Sequence, residues 1–155
     1  MTQKSDAQRR RNVLLVEDNE DDVMLTKYAF QKRSAPIDLH VTGEGAEALR
    51  FLRRVAPFED APTPDVILLD LNMPGMDGRQ LLAELKRDDA LKRIPAIVLS
   101  TSEADHDVHA AYGLHANAYL TKPLHLSDSP GRTQCVIDFW LGNVAILPAL
   151  DHPKR

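Results

Sequence analysis

Several common features are missing from this sequence of 155 residues, and each absence excludes a class of protein. It has one cysteine, Cys135, so neither an internal disulfide nor a cysteine-based zinc cluster can form. No run of about 18 apolar residues is present, which excludes a transmembrane helix. Acidic residues outnumber basic ones by 23 to 19, so the basic excess typical of nucleic-acid binders is absent. The amino terminus lacks the apolar segment of a secretory signal. We therefore expect a soluble, cytoplasmic protein that binds neither membrane nor nucleic acid.

The composition that remains is that of an ordinary globular domain. Hydrophobic residues make up 43% of the chain and charged residues 27%, which is enough apolar surface to form a core. The length corresponds to about one domain. We expect this domain to span residues 12–147, between a flexible tail at 1–11 and a second tail at 148–155.

Short apolar segments alternate along the chain with segments of helical periodicity. The predicted strands cover 13–16, 37–42, 66–69, 96–99 and 118–120. Helices are expected over about 19–34, around Ala48 to Ala56, around Leu81 to Leu85, over 103–113, and from after Ser129 to about 145. Two inward-facing stripes are predicted on them: Met24, Leu25, Tyr28 and Ala29, and then Val108, Ala111 and Tyr112. Alternation of this kind predicts an α/β fold, a doubly wound five-stranded parallel sheet with helices on both faces.

Polar side chains follow the predicted strands at the points where ligands bind to open parallel sheets. Glu17 and Asp18 end the first strand, and Asp70 ends the third. Ser100 ends the fourth strand and Lys122 follows the fifth. Carboxylates brought so close repel one another unless a cation lies between them. Oxygen ligands favour a hard divalent ion, so the sequence predicts a Mg²⁺ site with Lys122 as a fixed positive charge.

These residues, in this order, resemble the receiver domains of two-component response regulators, which have a flavodoxin-like, or CheY-like, fold. The matching segments are Val-Glu-Asp at 16–18, Leu-Leu-Asp-Leu-Asn-Met-Pro-Gly-Met-Asp-Gly at 68–78, Leu-Ser-Thr at 99–101 and Tyr-Leu-Thr-Lys-Pro at 119–123. Each segment alone is a weak signal, but all four fall at the ends of predicted strands. The resemblance extends over about residues 12–147.

The resemblance implies a role for each matched residue. Asp70 would accept a phosphoryl group from the phosphohistidine of a sensor histidine kinase. Glu17, Asp18 and Asp70 would bind Mg²⁺ together with the backbone carbonyl of Asn72. Lys122 and the Ser100 hydroxyl would each hold a phosphoryl oxygen. Tyr119 would act with Ser100 as the conformational switch, although a simple packing role for this aromatic side chain also remains open.

Two further segments are similar to receivers that work beside bacterial phytochromes. They are Gly-Leu-His-Ala-Asn-Ala-Tyr at 113–119, and Asp-Phe-Trp-Leu at 138–141 with Ile-Leu-Pro at 146–148. This similarity implies a phytochrome-type kinase as the partner. The receiver resemblance as a whole implies a stand-alone regulator that is not an enzyme. It either signals by a phosphorylation-dependent change of conformation or drains phosphate from a kinase, and the sequence does not choose between the two.

Two other functions remain open at this point. An aspartate nucleophile after an apolar strand also occurs in haloacid-dehalogenase-type phosphatases. Those enzymes need a second acid two residues later, where this chain has Asn72. The other alternative is a pseudo-receiver, a binding module that never takes up phosphate, although all the matched acids are present.

The last predicted helix is apolar around its circumference, which indicates that it is buried on more than one side. One stripe can cover the sheet, and a second copy of the chain is expected to cover the other. The candidate dimer-interface residues are Val136, Ile137, Trp140 and Leu141. Alternatively, residues 146–155 fold back over the outer stripe.

Overall fold

The computed structural model describes residues 10–31, 37–122 and 138–143. Its five strands are β1 (Arg11–Val16), β2 (Ile37–Thr42), β3 (Val66–Asp70), β4 (Ala96–Ser100) and β5 (Ala118–Thr121). They form one sheet in the order β2-β1-β3-β4-β5, and every neighbouring pair is parallel. The predicted doubly wound parallel sheet is confirmed. The order reverses at β1, so the carboxyl ends of β1 and β3 lie side by side.

The helices connect these strands. They are α1 (Glu20–Gln31), α2 (Gly45–Arg53), α3 (Gly78–Arg87) and α4 (Asp105–Gly113), with a short 3₁₀ turn at Leu91–Arg93 before β4. Most of the predicted last helix lies outside the described residues, and its described part is a π-helical turn over Phe139–Asn143. Of the helices that are described, none is long and apolar enough to cross a membrane.

Two apolar clusters sandwich the sheet because successive strand residues point to opposite faces. Leu14, Val16 and Leu69 face one side, where they pack against α2, α3 and α4. Val13, Leu15 and Leu68 face the other side, where Ala29 and Phe30 of α1 and Leu141 cover them. Both faces of the sheet are therefore buried, which explains why the central strands are continuous apolar runs.

The predicted stripe of α1 is wrong at Met24 and Tyr28. Met24 and Tyr28 are 68% and 45% exposed, and the buried positions of α1 are Thr26, Ala29 and Phe30. The burial of Ala29 agrees with the prediction, but the inward face is rotated toward Phe30, so the core receives one phenyl ring in place of Met24 and Tyr28.

Two predictions on other helices also fail. Tyr112 of α4 is 50% exposed, whereas its neighbour Ala111 is fully buried. The helix predicted to reach Ala56 ends at Arg53, because Arg54 takes a left-handed conformation with φ of 55°. Val55 therefore lies beyond α2 and is 49% exposed.

Candidate functional site

Three carboxylates meet where β1 and β3 end. Glu17 follows the last residue of β1, and Asp70 is the last residue of β3. Ligand oxygens of Glu17, Asp18 and Asp70 lie within 4.8 Å of one another. Glu17 and Asp70 are only 3% and 9% exposed, whereas Asp18 is open to solvent. The pairing of two central strands thus brings the three predicted acids together.

The backbone around Asp70 is tightly constrained by the start of α3. The Asn72 amide donates to Asp70 Oδ1 at 3.2 Å, and the Gly78 amide donates to the Leu71 carbonyl at 3.0 Å. A β-carbon at Gly78 would lie only 2.1 Å from the Asp70 carbonyl oxygen. The glycine therefore lets α3 begin directly against the residue that bears the central carboxylate.

Lys122 reaches the same point from the end of β5. Its amide donates to the Ser100 carbonyl at 2.7 Å, which fixes its place beside β4. Its Nζ donates to Glu17 Oε2 at 2.5 Å and to Asp22 Oδ2 at 2.9 Å, and lies 3.7 Å from Asp70 Oδ2. Lys122 is only 5% exposed, and its ammonium is surrounded by these three carboxylates.

The burial and mutual contact of Glu17 and Lys122 shift the pKa of both side chains. Burial raises the pKa of Glu17, against the opposing effect of its hydrogen bond with Lys122. Burial would lower the pKa of Lys122, but hydrogen bonds to Glu17 and Asp22 and the attraction of Asp70 outweigh it and raise the pKa. These contacts therefore favour the protonated form of Lys122.

The acids open into a cleft of about 580 Å³. It is lined by Asp18, Asn19, Glu20, Asp21, Asp22, Asp70, Asn72, Thr101 and Lys122. Carboxylate oxygens are the donors that hard divalent cations prefer. Within the described ranges, Glu17, Asp18 and Asp70 form the only group of three or more such side chains close enough to hold a metal ion. The residues present fit a divalent cation of this type.

Ser100, the last residue of β4, and Thr101, the residue after it, occupy different positions relative to the cleft. Ser100 is fully buried, and its Oγ accepts a hydrogen bond from the Ser102 amide at 3.2 Å. It does not line the cleft, whereas the exposed Thr101 does. The predicted contact between the Ser100 hydroxyl and a ligand would thus require a rearrangement of the loop that joins β4 to α4.

Tyr119 is half-buried and is attached to the same loop. Its hydroxyl donates to the Ser102 carbonyl at 2.8 Å, and its ring packs against the core on the α2–α4 side. The Ser102 hydroxyl in turn donates to Asp107 Oδ2 at 2.5 Å, and Arg79 donates to Asp107 Oδ1 at 2.5 Å. We call Arg79, Asp107 and Ser102 the loop clamp, because they tie the loop to the first turns of α3 and α4.

Comparison with known proteins identifies the chain. The family described as the response regulator receiver domain matches residues 13–130. The chain belongs to the response regulator receiver family. The receiver is similar over nearly its whole length to response regulator Rcp1 of Synechocystis sp., with 43% identity over 137 residues covering 88% of this chain and 92% of Rcp1.

Solved structures show the same similarity. The phosphorylated cyanobacterial phytochrome response regulator RcpA has a TM-score of 0.86 and 39% identity, over 90% of this chain and 100% of that one. The Mn²⁺-bound form of Rcp1 has a TM-score of 0.83 and 40% identity, over 89% and 99% of the two chains. That structure of Rcp1 holds Mn²⁺, and in this chain Glu17, Asp18 and Asp70 supply a group of carboxylate oxygens that could hold a metal ion.

The family match favours signalling by a receiver over the haloacid-dehalogenase alternative. Asn72, which stands where such phosphatases need a second acid, is exposed at the cleft. The pseudo-receiver alternative is likewise not favoured.

Sequence reasoning missed Asp22, the second carboxylate that binds Lys122. Helical spacing from Glu17 or Asp18 could not have identified it, because both residues precede α1, which begins at Glu20. Asn19, which also lines the cleft, was missed as well.

Of the four predicted dimer-interface residues, Val136 and Ile137 lie outside the described residues. Leu141 is 5% exposed and packs in the chain's own core, and Trp140 is half-buried beside it.

Proposed function

We propose that this receiver accepts a phosphoryl group on Asp70 from the phosphohistidine of a sensor histidine kinase. The observation that carries the proposal is the position of the Asp70 carboxylate. It borders an open cleft, 3.7 Å from the ammonium of Lys122 and within the three-carboxylate group. Phosphoryl transfer needs a positioned nucleophile and positive charge around the transferring oxygens, and these residues supply both.

In the transfer step, a carboxylate oxygen of Asp70 attacks phosphorus. The P–N bond of the phosphohistidine breaks, and the imidazole leaves with the electron pair and takes up a proton. The product on the receiver is an acyl phosphate, and water later attacks its phosphorus to release inorganic phosphate and the carboxylate. Lys122 Nζ would donate to one phosphoryl oxygen from its position beside Asp70.

We propose Mg²⁺ as the cation, held by Glu17, Asp18 and Asp70 with the Asn72 backbone carbonyl. When bound, it would neutralise charge on the phosphoryl oxygens. The described geometry supports the three carboxylates as ligands, because their oxygens lie within 4.8 Å of one another.

We propose that Ser100 and Tyr119 transmit the change. For its hydroxyl to hold a phosphoryl oxygen, Ser100 must release the Ser102 amide that it now binds. That release would move the loop whose Ser102 carbonyl holds Tyr119, so the added charge would alter the packing of the tyrosine.

For the partner, we propose a phytochrome-type kinase and a homodimer of the receiver. The names of RcpA and several other similar structures refer to phytochromes or red-light signalling. We also propose that the receiver works in the cytoplasm, where such a kinase would find its ATP, and we expect a signalling role without turnover of a substrate.

The test is incubation with acetyl phosphate and Mg²⁺, followed by intact-mass measurement. We expect an adduct of about 80 Da on the wild-type protein, the mass added by one phosphoryl group. Asp70→Asn should give no adduct while keeping the circular dichroism spectrum of the wild type. An adduct that survives in Asp70→Asn would refute the assignment.

Two controls address the alternatives. Efficient multiple-turnover hydrolysis of a small phosphomonoester would indicate a phosphatase. Phosphotransfer from purified kinases, with a phytochrome kinase compared with an unrelated sensor kinase, tests the partner. Equal transfer rates from the two would contradict the phytochrome pairing.

A further inference from the structure

Asp22 is a cleft residue that the proposed chemistry does not use. It lies in the first turn of α1, where its amide donates to Asn19 Oδ1 at 3.1 Å. Its carboxylate crosses the cleft to Lys122, a residue 100 positions later in the chain, at 2.9 Å. The contact therefore ties α1 to the end of β5 next to Asp70.

The donors of Lys122 are largely occupied in this structure. An ammonium has three N–H donors. Hydrogen bonds to Glu17 and Asp22 use two of them, whereas the 3.7 Å separation from Asp70 is too long for a hydrogen bond. A phosphoryl oxygen on Asp70 would have to compete with these two carboxylates for the ammonium.

We propose that Asp22 is a positioning residue that restrains Lys122 and thereby limits how far the phosphorylated state of the receiver is populated. The inference rests on the proposed phosphoryl acceptance at Asp70. Asp22 is distinct from Glu17 because it does not belong to the three-carboxylate group. We therefore expect Asp22 to remain hydrogen-bonded to Lys122 when a cation binds Glu17.

The competition for Lys122 determines whether a substitution of Asp22 raises or lowers the phosphorylated fraction. Replacing Asp22 by asparagine keeps the size of the side chain but removes the charge that holds the ammonium, so Lys122 becomes freer to bind a phosphoryl oxygen. The change also removes a negative charge from the cleft, which by itself would favour an anionic donor. Asp21 separates the two effects, because it lines the same cleft without contacting Lys122 in the described structure.

The experiment compares wild type with Asp22→Asn, Asp22→Glu and Asp21→Asn under acetyl phosphate and Mg²⁺. The steady-state ratio of phosphorylated to free protein is read by intact mass, and the decay of the adduct is followed after the donor is removed. We expect Asp22→Asn to raise the ratio about two- to fivefold, the range that corresponds to a partly exposed ion pair. Asp22→Glu, which keeps the charge, should stay near wild type, and Asp21→Asn should raise the ratio clearly less than Asp22→Asn.

A second comparison tests whether Asp22 acts through Lys122. In a Lys122→Met background the added Asp22→Asn change should have no more effect than Asp21→Asn. If Lys122→Met takes up no phosphate, the double variant should take up none either. Equal effects of Asp21→Asn and Asp22→Asn, or an Asp22→Asn effect that persists without Lys122, would overturn the inference. A wild-type protein that forms no adduct would instead refute the proposed function.

Discussion

At the scale of single residues, Lys122 is the charge that makes the acidic site compatible with folding. Its ammonium lies within 4 Å of three carboxylates, two of which are buried. Lys122→Met would leave those carboxylates without a counter-charge. In metal-free buffer we expect a loss of about 3 kcal/mol in the free energy of unfolding, measured by urea denaturation.

The same denaturation series contains its own controls. Saturating Mg²⁺ should restore part of the lost stability, because a cation that binds the native state stabilises it by mass action. Lys92→Met removes the same charge from an exposed pair with Asp89 and should change stability by less than about 0.5 kcal/mol. A Lys122→Met protein as stable as Lys92→Met would contradict this account.

The site residues that could be predicted from sequence alone are those whose positions are determined by the ends of strands. Glu17, Asp70 and Lys122 follow recognisable apolar runs, and parallel pairing brings such ends to one edge of the sheet. Asp22 depends on where α1 begins and how it is rotated, and the sequence pattern gave that rotation incorrectly. The partners of Ser100 and Tyr119 depend on a loop with no periodic pattern, so their present hydrogen bonds could not be anticipated.

At the scale of elements, the start of α3 determines where Asp70 lies. A β-carbon at Gly78 would approach the Asp70 carbonyl oxygen to 2.1 Å and the Leu71 α-carbon to 2.7 Å. Both are backbone atoms, so either α3 or the end of β3 must shift. We expect Gly78→Ala to lose at least about 2 kcal/mol of unfolding free energy and to lower adduct formation on Asp70.

Gly113 is the matched control for this change. It ends α4, and a β-carbon there would have no neighbour within 4 Å. Gly113→Ala should therefore leave stability and adduct formation close to wild type. Similar losses in both variants would show that the close approach at Gly78 is not the cause.

The loop clamp joins α3, α4 and the loop that holds Tyr119. Asp107→Asn should weaken its contacts with both Ser102 and Arg79. We expect faster hydrogen exchange at the amides of Ser102 and Ala104, which donate to Ser100 Oγ and Ser102 Oγ respectively. Asp105→Asn removes the same charge from the first turn of α4 and should leave both amides unchanged. Unchanged exchange in Asp107→Asn would contradict the clamp.

The loop clamp also predicts the pH range in which the contacts of Asp107 are lost. Hydrogen bonds from Ser102 and from Arg79 lower the pKa of Asp107. A carboxyl group with a lowered folded pKa contributes stability above its unfolded pKa and loses it as the pH falls through the folded value. The amide chemical shifts of Ser102 and Ala104 should therefore change only below about pH 4, the usual range for aspartate. A transition between pH 5 and 7 would be inconsistent with this prediction.

The fold itself was predictable because each element has a local signature, while the orientation of the helices was not. Runs such as 66–69 and 96–99 can be buried only in a sheet covered on both faces, and the structure confirms this. The inward face of α1 was wrong because its apolar residues are spread around the helix. Only packing determines that Phe30, and not Tyr28, enters the core.

At the scale of the whole molecule, the turn at 138–143 divides the predicted dimer surface into two parts. Leu141 lies in the chain's own core, so Leu141→Ala should destabilise the monomer by about 3 kcal/mol, whatever the oligomeric state. Trp140 is half-buried, and its ring meets the 51% exposed Phe139 edge-on at 5.6 Å. Trp140 is thus the described part of the predicted surface that remains outside the core, and Phe139, which was not predicted, adds an exposed ring beside it.

Light scattering over a wide concentration range tests the dimer. We expect the mass to rise from 17.3 kDa toward twice that value as the concentration increases. Because the rings of Phe139 and Trp140 would be buried between copies, Trp140→Ala should move this rise to higher concentration. Tyr112→Ala, which removes a 50% exposed ring from α4, is the control and should leave the curve unchanged. A strict monomer at every concentration, with and without acetyl phosphate, would mean that the apolar surface of the last helix is covered by the chain itself.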